Sequence, residues 1–261
     1  MIGRVTTFLY GMVCYAFFFA VFLYAIAFLG DFGVPKTMDS GNSGSALQAL
    51  AIDAALLALF AIQHSIMARP WFKRAWTRVV PPAAERSTYV LFSSLALALL
   101  FLEWEPIGGV VWQVNATAAR FAIYGVYAAG WLLLLISTFL INHFDLFGLR
   151  QVYLHLRGRD YSRLEFRTPG FYRYVRHPIY FSWLCIFWAT PRMTITHLVF
   201  ALATTSYILM AIPWEERDLI RAHGEAYRRY RQQVPTILPV QLGKAKPALE
   251  SASSTVEYRG V

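Results

Sequence analysis

The segment PGFYRYVRHPIY, Pro169–Tyr180, runs directly into an apolar block that closes on PWEERDLIRAHGEAYRRYRQQVPTILP, Pro213–Pro239. Its cationic, aromatic lead-in ends in Arg176-His177-Pro178. The block ends in the paired acids Glu215 and Glu216, followed by Gly224, Tyr227, Tyr230 and Pro235. Charged groups at both edges of a lipid-buried segment are costly and mark a functional site. Thr190-Pro191-Arg192 interrupts the block, and proline ends or kinks a helix there. The part before the interruption, Ile179–Ala189, is shorter than the ~20 residues that cross a bilayer. The block is therefore either one kinked span or a helical hairpin.

Working outward, the same apolar character covers most of the chain. Of 261 residues, 57% are hydrophobic and 15% charged, where a soluble domain carries about 25% charged residues. Candidate spans are Phe8–Leu29, Ala46–Met67, Tyr89–Leu102, Phe121–Ile141, Ile179–Ala189 and Thr194–Pro213. The third is short, and Pro106–Trp112 is expected to complete it at the interface. The first is too long for a cleaved leader and lacks a small-residue cleavage site, so it reads as a retained helix. The expected fold is all-α: a polytopic membrane helical bundle of five to six segments, with a C-terminal helical hairpin. It comprises a single integral membrane domain, residues 1–240, and a disordered tail, 241–261.

Charge placement selects the hairpin. Of the 24 lysines and arginines, all but Lys36, Arg120 and Arg192 lie in the N-terminal segment, the second and fourth inter-span segments, or beyond Pro213. The positive-inside rule puts those regions in the cytoplasm, which requires an even number of crossings. Both termini and the site are then expected on the cytoplasmic side. A net charge of +9 follows from this topology, and no nucleic-acid partner is expected. Cys14 and Cys185 sit inside apolar spans and read as packing residues. The six histidines form no H-x-x-x-H pair, and no cysteine cluster accompanies them, so no metal site is expected.

Pro178 suits the first position of a helix, and the free amides there favour an anionic group such as a carboxylate. A hairpin returns Glu215 to the same face. A cation-lined helix start beside a carboxylate matches a zwitterionic amino acid carrying a ribose. The competing reading is that Arg176 and His177 reach for lipid headgroups and that Glu215 and Glu216 open an amphipathic helix.

The ordered set RHPxY…EE…G…Y…Y…VP…P, within Phe139–Pro239, resembles the C-terminal core of the isoprenylcysteine carboxyl methyltransferase superfamily. The resemblance implies an integral membrane enzyme using S-adenosyl-L-methionine. It implies cofactor-binding roles for Tyr172, His177, Pro178, Ile179, Tyr180 and Glu215, for Leu164, Glu165, Phe166 and Arg167, and for Gln151 on a longer loop. Members acting on prenylcysteine carry an arginine four residues before the matched glutamate. Here that position is Ala211, which argues against a prenylcysteine acceptor. The runs Val34-Pro35-Lys36, Gln63–Pro81, Glu85–Leu91 and Ser137–Gln151 resemble the methanethiol S-methyltransferase branch. That likeness implies methylation of a small thiol, methanethiol, to dimethyl sulfide. The alternatives are an acceptor such as a lipid amine or carboxylate, or a non-enzymatic transporter or assembly factor.

Sulfur methylation needs an aligned acceptor and a source of thiolate, because the thiolate is the nucleophile. His64 and His143 are candidate bases, Asp145 a candidate to orient one of them, and Arg86 and Arg150 candidates to stabilise a thiolate. Each equally suits helix capping and interfacial pairing. The expected partners are the small thiol and membrane lipid.

Overall fold

The computed structural model describes residues 1–41, 44–162 and 164–239. The tail expected over 241–261 lies outside the described residues. The elements are α1 (Ile2–Gly30), α2 (Ala46–Ala68), α3 (Pro70–Trp76), α4 (Glu85–Glu103), β1 (Val110–Gln113), α5 (Thr117–Ile141), α6 (His143–Leu146), α7 (Leu149–Leu156), α8 (Pro178–Trp188), β2 (Arg192–Thr194), α9 (Ile195–His223) and α10 (Glu225–Gln233), with a 3-10 turn at Gly170–Arg173. Five of these helices, α1, α2, α4, α5 and α9, are long and apolar enough to cross a membrane. This is an all-α polytopic membrane protein.

Half of α4's apolar stretch is buried inside the protein, against 17% of α2's, so α4 is central and α2 lies at the rim facing lipid. The core is aromatic: Phe28, Phe101, Trp104, Tyr127, Trp131, Phe187 and Phe200 are buried together. Helices α5 and α8 approach closely at Gly130, where a Cβ would meet Ile186 at 2.9 Å. Small residues permit such contacts where lipid leaves packing as the main attraction. Asp53 on α2 is fully buried and accepts the Glu105 amide at 2.9 Å, pinning the rim helix to the chain leaving α4.

Two expectations are corrected. Residues following α4 do not extend that span. Instead β1 pairs antiparallel with β2, Trp112 opposite Met193, forming a short ribbon across the hairpin turn. Nor does the last span stop at Pro213, because α9 continues through it to His223. Proline removes one amide donor, but membrane helices tolerate this where neighbours re-satisfy the freed groups. The interruption at Thr190-Pro191 does break the chain, and α8 and α9 form the hairpin.

The ends of α2, α5 and α9 and the starts of α1, α4 and α8 gather at one end of the bundle. Tyr10 bonds Thr88, Ser65 bonds Tyr207 and Arg69 pairs with Asp218. Asn142 ends α5 at φ 94° and caps α6 by accepting the Asp145 amide, turning the chain across this end. Gly148, at φ 88°, brings the next turn against α4. A Cβ there would stand 2.7 Å from the Ser87 nitrogen, so glycine is required both sterically and conformationally.

Candidate active site

The hairpin mouth is built on His177, the N-cap of α8, with Pro178 at the first helical position. Its ring is 5% exposed and stacks on Tyr180 at 5.2 Å. The two glutamates of α9 flank it in different ways. Glu216 is enclosed: Arg176 Nε donates to it at 2.8 Å, His177 Nε2 lies at 3.3 Å and Arg231 at 3.8 Å. Glu215 is 44% exposed and receives the Tyr180 hydroxyl at 2.6 Å on one oxygen. Its second oxygen has no hydrogen bond from the described residues.

Arg176 also fastens the C-terminal strap. Its guanidinium donates to the carbonyls of Arg231 and Val234 and to Thr236 Oγ1, while the Arg176 and His177 amides donate to Pro235 and Thr236. Opposite, Phe166 packs on His223, Tyr227 and Tyr230 at 5.1 to 5.7 Å. Tyr230 donates to the Tyr172 carbonyl at 2.6 Å. Burial pushes the Tyr172 phenol up, and the charge of Glu215 adds to it. Burial and the charge of Glu216 push Tyr227 up to about 12, so both phenols stay protonated donors.

A second group sits over the end of α5. Asp145 accepts Arg150 at 2.9 Å and the Tyr161 hydroxyl at 3.2 Å, and its carbonyl accepts Gln151 Nε2 at 3.1 Å. Arg86 donates to the Leu146 carbonyl at 2.7 Å and lies 5.0 Å over the Tyr89 ring. The Tyr89 hydroxyl in turn stands 2.9 Å from His64 Nε2. Arg86 thus joins the Asp145 group to the Tyr89–His64 pair.

Comparison with known proteins decides the family. The model described as "Protein of unknown function (DUF1295)" matches residues 72–234. Proteins named methanethiol S-methyltransferase match over nearly the whole chain. That of Crocosphaera subtropica is 52% identical, covering 91% of this chain and 93% of its own length. That of Mycobacterium tuberculosis is 50% identical, covering 90% and 97%. Methanethiol S-methyltransferase 2 of Bradyrhizobium diazoefficiens is 51% identical, covering 92% of each. The chain belongs to the methanethiol S-methyltransferase family. It is a methyltransferase. No solved structure matches it.

Against that family's expected site, the structure gathers His177, Pro178, Ile179, Tyr180, Tyr172 and Glu215 at one mouth. Of Leu164–Arg167, Phe166 turns inward, whereas Glu165 and Arg167 pair with each other at 3.1 Å and stay largely exposed. His143 and Asp145 are not brought together. The His143 ring nitrogens meet Tyr15 at 2.8 Å and Thr138 at 2.9 Å, and the ring stacks on Phe139, so it pins α1 to α5. Sequence reading missed the Arg176–Glu216 clasp and Tyr89. The clasp carried a signal, since a cation and an acid stood at the two ends of one hairpin. Tyr89 carried none.

The residues present fit an S-adenosylmethionine-like ligand. Among the described residues, Gln151 Oε1, Ser137 Oγ and the Tyr227 hydroxyl are buried without hydrogen-bond partners, and one Glu215 oxygen has none. Buried polar groups ordinarily find partners. Here acceptors and donors remain for hydroxyl, amino and carboxylate groups.

Proposed function

We propose that this protein methylates methanethiol at sulfur, with S-adenosyl-L-methionine as donor, releasing dimethyl sulfide. The observation that carries the reading is the likeness over nine-tenths of the chain to proteins named for that reaction. The cofactor assignment is supported by the chemistry of the mouth. Glu215 would take ribose hydroxyls on its open oxygen, the start of α8 would take the carboxylate, and Gln151 Oε1 would accept from the amino group.

When bound, the cofactor supplies an electrophilic methyl group on a sulfonium centre. The chain's part is to hold donor and acceptor in line and to exclude water. Orientation of this kind contributes several kcal/mol to lowering a barrier. Enclosing the mouth falls to the strap over Arg176 and to Phe166. In the proposed setting both termini and the mouth face the cytoplasm of a bacterial inner membrane, as the cation distribution directs.

Purified protein in nanodiscs, given methanethiol and donor labelled in the transferred methyl, should release labelled dimethyl sulfide into the headspace. Folded protein that binds the donor yet produces none would overturn the reading.

A further inference from the structure

Three observations converge on a part of the mouth to which no role has been given. First, His64, Tyr89 and Tyr180 come from three helices and each lies about one turn in from its helix end. Tyr89 is buried, capped by Arg86 and bonded to His64. Second, His64 lies between two hydroxyls, with that of Tyr89 3.0 Å from Nδ1 and 2.9 Å from Nε2. Its Nδ1 lies 3.2 Å from Ser93 Oγ, and its ring stacks on Phe60 at 5.2 Å. Third, Tyr207, Ala211 and Glu215 follow one another at four-residue spacing on one face of α9. Tyr207 bonds Ser65, next to His64, at 2.9 Å, and Glu215 bonds Tyr180. Between them Ala211 offers only a methyl group.

The flank of the mouth formed by α2, α4 and α9 therefore carries one proton acceptor, one buried phenol and a small side chain. We propose that this is the acceptor subsite: the Tyr89 hydroxyl binds the sulfur of the thiol, and His64 positions that hydroxyl and receives the proton. This rests on the methyl-transfer reading above. Sulfur forms its new bond to the methyl carbon as the old sulfonium–methyl bond breaks, and that electron pair leaves on the donor's sulfur. The S–H proton passes to the phenol oxygen while the phenol proton passes to His64 Nε2. His64 ends one proton richer and later releases it to water. In the tautomer with Nδ1–H donating to Ser93, Nε2 is the acceptor facing the Tyr89 hydroxyl. Ala211 sets the size limit, because a larger side chain would fill the space between Tyr207 and Glu215.

The test uses the full chain in nanodiscs as wild type, Tyr89→Phe, His64→Gln and Ala211→Leu. For each, calorimetry gives the affinity for S-adenosylhomocysteine and then the affinity of the loaded, non-reacting protein for methanethiol. Kinetics give kcat and KM. Tyr89→Phe should keep the nucleoside affinity but weaken thiol binding about tenfold, the scale of one hydrogen bond. His64→Gln should leave thiol binding near wild type while kcat falls about a hundredfold, the scale of a lost proton acceptor. Its solvent deuterium isotope effect on kcat should also change, which a packing role would not cause. Ala211→Leu should raise KM for methanethiol with nucleoside affinity unchanged. Should Tyr89→Phe not fold, Ala211→Leu and His64→Gln decide the matter. Wild-type thiol affinity and kcat in Tyr89→Phe would overturn the proposal. So would loss of nucleoside affinity in parallel with thiol affinity, since Tyr89 would then belong to the donor site. If wild type makes no dimethyl sulfide, the methyl-transfer reading fails on its own, and the thiol affinities still decide Tyr89.

Discussion

Arg176 and Glu216 meet at 2.8 Å with side chains only 10% and 9% exposed, joining the start of α8 to the middle of α9's last turns. Removing one partner of a buried pair leaves the other charge uncompensated, at about 3–5 kcal/mol. Arg176→Ala should therefore lower the unfolding temperature markedly and release the strap at Val234–Thr236. Thermal unfolding in detergent, with proteolysis of the C-terminal segment, measures both. An unchanged melting temperature would remove the clasp from the account of the fold.

Glu215 should behave differently, because it is half-exposed and bonded on one oxygen only. Glu215→Ala should weaken S-adenosylmethionine binding about tenfold or more, the scale of a charged hydrogen bond, with little loss of stability. His177→Ala should weaken it too and also destabilise, since that ring lies against Glu216. Calorimetry paired with melting curves separates the two effects. Equal donor affinity in wild type and Glu215→Ala would return this carboxylate to a surface role.

His143 gives a pH signature of stability. Burial holds its pKa below the ordinary 6.5, so the folded protein keeps the ring neutral where the unfolded chain takes up a proton. The stabilisation is complete above about pH 6.5 and is lost as pH falls through that value toward the lower folded pKa. Wild type should lose melting temperature between about pH 7 and pH 5 more steeply than His143→Gln. The difference between the two slopes is the readout, and parallel slopes would contradict it.

Topology is tested by single cysteines. Cysteine at Glu225 should react with an impermeant reagent only from the cytoplasmic side, and cysteine at Lys36 only from the outside. This follows from the cation distribution and from the even number of crossings that the α8–α9 hairpin completes. Labelling of both positions from one side would refute it.

Ala211 leads to a prediction about acceptors. A farnesylcysteine analogue should not be turned over, because its carboxylate finds no arginine four residues before Glu215. Among alkyl thiols efficiency should fall as the chain lengthens, since extra methylenes must be forced into a packed space. Competition assays with ethanethiol and butanethiol rank the series.

The spans and the hairpin were legible because hydropathy and cation placement act over many residues. Pro191 and Pro213 show where that legibility stopped. Both are prolines in apolar surroundings, yet one ends a helix and the other lies within one, and the difference is made by neighbours rather than by local propensity. The ribbon of β1 and β2 was hidden for a related reason. Its strands are three and four residues long and are defined by pairing across about 80 positions, not by a run of their own. At the mouth, His177, Tyr180 and Glu215 could be read because they recur in an ordered motif. Tyr89 could not, because its place depends on α4 packing against α2, and the separation of His143 from Asp145 depends on the turn at Asn142.

The brevity of α8 has a further consequence. Eleven residues make a helix of about 16 Å, half of a ~30 Å hydrocarbon core. Its far end is tied to the ribbon, where the Trp112 indole donates to the Thr190 carbonyl, so the short helix holds His177 and Tyr180 close to that ribbon. On the proposed reaction the two reactants then need different routes. The charged donor comes from water. Methanethiol and dimethyl sulfide are small, uncharged and soluble in lipid. A product soluble in the bilayer can leave through the phase that surrounds the protein.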